Sequence, residues 1–183
     1  PPTPKRSPTP APGRSGAPPS RSDAESLPQT SDYRALSDRL AADPKNPALM
    51  NEMGNYLTQH GRLRSAIPQY EAALKIKPDL AIVWNNLGIA QTALQSYADG
   101  ERAYRRAIKL NPGYAFAYYN LGANFDRREN VDEAISWYQR AIELDPTLLD
   151  VRVNPQVATN RHLVAILLKS YIDKRGAVFL PVQ

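Results

Sequence analysis

Trp84-Asn85-Asn86-Leu87-Gly88 recurs 34 residues later as Tyr118-Tyr119-Asn120-Leu121-Gly122, and that recurrence decides the fold. Extended outward, the match divides residues 47–148 into three segments, 47–80, 81–114 and 115–148, that align without a gap. Gly54, Gly88 and Gly122 hold the eighth place of each. Small residues follow at Ala66, Gly100 and Ala134, then an aromatic at Tyr70, Tyr104 and Tyr138. Ala73, Ala107 and Ala141 come next, and Pro78, Pro112 and Pro146 close the segments. A period of this size marks stacked supersecondary units, each too small to bury its own apolar face.

Trp84-x-x-Leu87-Gly88 and Tyr118-x-x-Leu121-Gly122-x-x-Phe125, with the closing prolines, resemble the tetratricopeptide repeat, a helix–turn–helix unit with that signature. The likeness covers 102 of 183 residues. Met50 and Met53 replace an aromatic and a leucine in the first unit, and Gln91 replaces the usual aromatic at the eleventh place of the second. Methionine fills apolar gaps flexibly, so these departures leave the fold intact. The resemblance implies an all-α, right-handed solenoid of three helix–turn–helix repeats. In the second unit, helix A is expected over about 81–93 and helix B over about 97–110. The glycine at the eighth place lets helix B approach, and the small residue at the twentieth receives it. Tyr70, Tyr104 and Tyr138 are expected to pack between units, over Leu74, Ile108 and Ile142. Pro68 is expected near the start of its helix B, where a missing N–H costs little.

The ends differ from the repeats. Residues 1–30 form a tail with nine prolines and few large apolar side chains, too polar to offset the entropy of ordering. As polyproline II it would reach roughly 90 Å, and it reads as a spacer or tether, with SH3-type recognition as the alternative. Residues 31–46 predict a capping helix, with Tyr33, Leu36 and Leu40 on one side and Pro44 in the phase of a closing proline. Residues 149–183 break the pattern at Pro155 and predict a second capping helix over about 156–173, followed by the apolar Val178-Phe179-Leu180-Pro181-Val182. That helix is too apolar for a wet outer face. Either the apolar tail folds back over it, or it joins copies of the chain, or the tail enters a groove.

The chain carries a net charge of +5 and a pI near 9.5, but residues 47–148 hold eleven basic and eleven acidic side chains. The surplus sits in the flanks, which argues against a nucleic-acid face. Arg102, Arg105, Arg106 and Lys109 cluster on one helix B, partly offset by Asp99 and Glu101, and read as a solvated outer face. The absence of cysteine removes disulfides, thiol nucleophiles and thiolate metal sites. There is no apolar stretch of about 18 residues to span a membrane. Since the first residue is proline, the chain is expected to be a processed product. The tail favours a tethered, extracytoplasmic setting, and peripheral membrane association stays open.

No enzyme is expected. His60 and His162 are far apart and without ligand-spaced partners, and no phosphate loop or nucleophile–base pair stands out. No cofactor and no metal site is implied. What remains is a groove. The resemblance implies that the A helices line a concave face, through Asn51, Asn55 and Gln59 in the first unit. The second contributes Ile82, Asn85, Asn86 and Thr92, and the third Phe116, Tyr119, Asn120 and Arg127. Asparagine amides both donate and accept, so a row of them can hold an extended backbone without reading its sequence; Phe116 and Tyr119 would add apolar contact. The family's chaperone-tail receptors use cations where Asn51, Phe116 and Asn120 stand here, so a terminal carboxylate would lose its charge-assisted bonds. The expected function is a non-catalytic adaptor that takes an extended or helical segment of a partner protein. The alternatives are self-assembly through the C-terminal helix and tail, and binding of an anionic polymer or membrane by the basic flanks.

Overall fold

The computed structural model describes residues 30–166. The proline-rich segment 1–29 and residues 167–183, including the apolar tail and most of the expected last helix, lie outside the described residues. The described chain is helical throughout: α1 (Ser31–Ala42), α2 (Pro47–Gln59), α3 (Leu63–Ile76), α4 (Ala81–Ala93), α5 (Tyr97–Leu110), α6 (Ala115–Asp126) and α7 (Val131–Leu144). Two 3₁₀ turns, Pro146–Leu149 and Pro155–Ala158, lead to helical residues 161–166. Helices A are therefore α2, α4 and α6, and helices B are α3, α5 and α7.

The boundaries follow from backbone chemistry. Each A–B turn needs one residue in the left-handed region, at the fifteenth place of every unit: Gly61 (φ 72°), Gln95 (φ 65°) and Glu129 (φ 63°). The next N–H then reaches back to a helix carbonyl, Arg62 to Leu57 at 2.7 Å, Ser96 to Gln91 at 2.9 Å and Asn130 to Phe125 at 3.1 Å. This is the Schellman closure that satisfies orphan carbonyls. Only the first unit uses glycine there. Gln95→Gly is expected to raise stability by roughly 0.5 kcal/mol, the left-handed penalty relieved less the entropy of a freer unfolded chain. The urea midpoint should rise with an unchanged slope.

Helices B end two residues before Pro78, Pro112 and Pro146, and the cap residue between donates its N–H to the alanine four residues back: Lys77 to Ala73, Asn111 to Ala107 and Asp145 to Ala141, all at 2.9 Å. Pro68 corrects its sequence reading. It is the sixth residue of α3 and lies inside the helix, so it removes the N–H that would bond to the Arg64 carbonyl.

Alanine, leucine and tyrosine build the core. Tyr70, Tyr104 and Tyr138 are 1–2 % exposed, and each lies against the glycine of its own unit. A Cβ on Gly54, Gly88 or Gly122 would fall 2.5, 2.6 or 2.8 Å from the tyrosine ring. The space the glycine leaves is thus filled mainly by the aromatic at the twenty-fourth place; in the third unit the Ala134 carbonyl also comes within 3.1 Å. Trp84 Nε1 donates to the Pro78 carbonyl at 2.9 Å and pins one unit to the next. Successive A helices touch one another and successive B helices scarcely do, so the stack curves with the A helices inside.

Burial pushes the Tyr104 phenol up to about 12. It also pushes up Tyr70, Tyr114, Tyr119 and Tyr138, the last helped by the Asp126 charge. The unfolded chain releases these protons near the ordinary value of about 10 while the folded chain keeps them. This stabilisation is complete below about pH 10 and is lost as the pH rises further. The urea midpoint is expected to fall steadily as the pH rises from about 10 towards about 12.

Candidate functional site

On the inner face the asparagines bond to one another. The Asn86 amide donates to Asn51 Oδ1 at 3.1 Å and Asn55 Oδ1 at 2.9 Å. Asn120 donates to Asn85 Oδ1 at 2.9 Å, and Asn85 approaches Asn86 Oδ1 at a long 3.5 Å. Tyr70 closes the row by donating to Asn55 Oδ1 at 2.9 Å. One chain of amides therefore crosses three repeats, at the fifth, sixth and ninth places of helices A. The Asn51 and Asn55 NH₂ groups and Asn120 Oδ1 make no hydrogen bond among the described residues, so the row still offers donors at one end and an acceptor at the other. Depressions of about 230 Å³ beside Asn55, Gln59 and Asn86 and about 510 Å³ between α1 and α2 open along it.

The eight expected site residues divide. Asn51, Asn55, Asn86 and Asn120 line the inner face, half-buried. Asn85 is only 2 % exposed; it positions Asn120 and does not reach solvent. Phe116 is 43 % exposed and Ile82, at the same place one unit earlier, 56 %, an apolar pair on successive helices. Tyr119 corrects the sequence reading. It is 5 % exposed, with its ring 5.3 Å from Tyr138 and its hydroxyl donating to Gln156 Oε1 at 3.1 Å. The segment after the third repeat covers it. Thr92 is likewise buried and accepts from Asn124 Nδ2 at 2.8 Å. Arg127 caps α6 and borders a separate depression of about 430 Å³ at the C-terminal end.

One cluster was not legible in the sequence. Asp126 Oδ2 accepts from Asn160 Nδ2 at 2.8 Å and Tyr138 Oη at 3.2 Å, and Oδ1 meets His162 Nδ1 at 3.0 Å. Asn160 also caps the N–H groups of His162 and Leu163 at 2.9 and 3.1 Å. The last helix therefore starts after Asn160, not at about 156 as the apolar pattern suggested, because Pro155 opens a short 3₁₀ turn instead. The Asp126–His162 pair has no nucleophile. Its one hydroxyl neighbour, Tyr138, is 1 % exposed and held protonated by burial. The cluster docks the C-terminal segment onto the third repeat. His60 stacks on Tyr56 at 4.1 Å and bonds its carbonyl, a turn residue. Among the described residues no group of acids and histidines is arranged to hold a metal, and no helix is long and apolar enough to cross a membrane.

Half of the basic helix face is engaged. Arg102 pairs with Asp99. Arg105 pairs with Glu101 at 2.9 Å and lies over the Trp137 ring at 5.3 Å. Arg106 and Lys109 make no ion pair among the described residues.

Stacked helical hairpins with an inner row of amides define a repeat scaffold, a class that presents extended concave surfaces to other proteins. The tetratricopeptide repeat model matches residues 51–115 and 85–148, and the chain belongs to that family. Families of this kind are generally scaffolds rather than enzymes. The chain is similar to the crystal structure of MamA, with a TM-score of 0.63 and 25% identity over 78% of this chain and 86% of that one. It is similar to the first such domain of Spaghetti (RPAP3), solved with the HSP90 peptide SRMEEVD, with a TM-score of 0.56 and 26% identity over 69% of this chain and 91% of that one. A 74-residue stretch is 35% identical to the O-mannosyl-transferase TMTC1 of Mus musculus, 38% of this chain and only 8% of that protein.

Proposed function

We propose that the chain is a non-enzymatic adaptor that binds an extended or helical segment of a partner protein on its inner face. The observation that carries this reading is the amide row with its unused donors and acceptor beside two exposed apolar side chains, Ile82 and Phe116. Asn51, Asn55, Asn86 and Asn120 would bond the partner backbone, Ile82 and Phe116 would take an apolar side chain, and Arg127 would meet an acidic end. Asn85 holds the row in place from below.

The similarity to a domain that holds an HSP90 peptide supports peptide binding in general. The ligand here should differ, because Asn51, Phe116 and Asn120 supply no charge for a terminal carboxylate. Exposed Val151, Val153 and Val164 near the C-terminal end favour a second reading, self-association of copies. Capture from lysate by the full chain, compared with a folded Asn86→Ala/Asn120→Ala/Phe116→Ala variant, tests the first. Proteins lost only with the variant support it; the same set from both, or only copies of the chain itself, rejects it.

A further inference from the structure

The second repeat departs from its neighbours at the eleventh place, and a cleft opens there on the outer side of the stack. At that place, Leu57 in the first unit and Phe125 in the third are 2 % and 7 % exposed and belong to the apolar core. The second unit has Gln91. Its Oε1 is buried without a hydrogen-bond partner, and its NH₂ makes no hydrogen bond among the described residues. An unpaired buried carbonyl is costly, and a shorter polar side chain in an aromatic's place leaves room. A cleft of about 560 Å³ between α3, α4 and α5 is lined by Gln91, with Leu74, Trp84 and Leu87 as its apolar wall.

The rim is cationic on balance. Lys75 and Arg106 border the cleft without ion pairs among the described residues, while Arg102 is held by Asp99. Glu71 is the remaining acid. We infer that this cleft is a second binding site, distinct from the inner face, for a tyrosine side chain presented by an acidic segment of another protein. The ring would lie against Trp84 and Leu87. Its hydroxyl would accept from the Gln91 NH₂, which makes no hydrogen bond among the described residues. Flanking carboxylates would meet Arg106 and Lys75.

The probe is the peptide acetyl-Asp-Glu-Tyr-Glu-Asp-amide, titrated into the full chain by calorimetry, with Trp84 in the cleft wall as a fluorescence reporter. Its counterpart with alanine for tyrosine should bind at least about tenfold more weakly, the loss expected when an anchoring aromatic is removed. Gln91→Phe, which restores the aromatic of the third repeat, should fold and abolish binding; Gln91→Leu serves if the larger ring is not accommodated. Arg106→Glu should weaken binding about tenfold at low salt, with a smaller deficit at high salt. Phe116→Ala/Asn120→Ala, on the inner face, should bind the probe like the unaltered chain. The proposal is overturned if neither peptide binds, if both bind alike, if the folded Gln91 variants bind undiminished, or if the inner-face variant loses the probe.

Discussion

Tyr119→Ala is expected to lower the stability of the stack by about 4 kcal/mol, near the middle of the range for deleting a buried aromatic ring. The ring is 5 % exposed and packs against Tyr138, and its hydroxyl ties α6 to Gln156. Truncation therefore leaves a cavity and removes a hydrogen bond at the joint between the third repeat and the C-terminal segment. For a domain of this size the melting temperature should fall by roughly 10–15 °C. Phe116 is only three residues away on the same helix but 43 % exposed, and Phe116→Ala should cost about 1 kcal/mol or less. Paired urea titrations check both. A loss under about 1 kcal/mol for Tyr119→Ala would mean that this ring is not part of the core.

Gly88→Val is expected to cost about 3 kcal/mol, the upper end for overpacking. In an exposed helix, replacing glycine by alanine would gain about 1 kcal/mol from propensity alone. Here a Cβ would fall 2.6 Å from Tyr104 Cε1, and Tyr104 is 2 % exposed and has no room to withdraw. The clash outweighs the propensity. If it is the cause, adding Gly88→Val to a chain already carrying Tyr104→Ala should cost under about 1 kcal/mol, because the missing ring makes space. Equal costs in the two backgrounds would mean that the glycine serves the backbone and not the ring.

The repeat period made the helices legible: the expected 81–93 and 97–110 are α4 and α5 to the residue, because Gly88, Tyr104 and Pro112 each have one geometric use. The inner face was legible only by position. The residue pattern placed Asn86 and Asn120 one unit apart, but not that the amides bond to one another, since Asn51 and Asn86 meet through tertiary packing at a separation of 35 residues. Tyr119 was misjudged because the fifth place of the third repeat is covered by Gln156, which lies past the point where the repeat stops. Asp126 and His162 met for the same reason, across 36 residues with no shared periodicity. Gln91 was visible as a departure from the pattern, yet only the packed neighbours reveal that a cleft opens beside it.

The most direct measurement of where partners dock is photo-crosslinking from a benzoyl-phenylalanine introduced at Phe116, with the same probe at Arg140 on the opposite side of the third repeat as reference. A partner protein should be captured from Phe116 and not from Arg140, and Asn86→Ala/Asn120→Ala should abolish the capture while costing no more than about 2 kcal/mol of stability. Capture from Arg140 alone, or capture from Phe116 that survives loss of both asparagines, would contradict the claim that the amide row holds the partner.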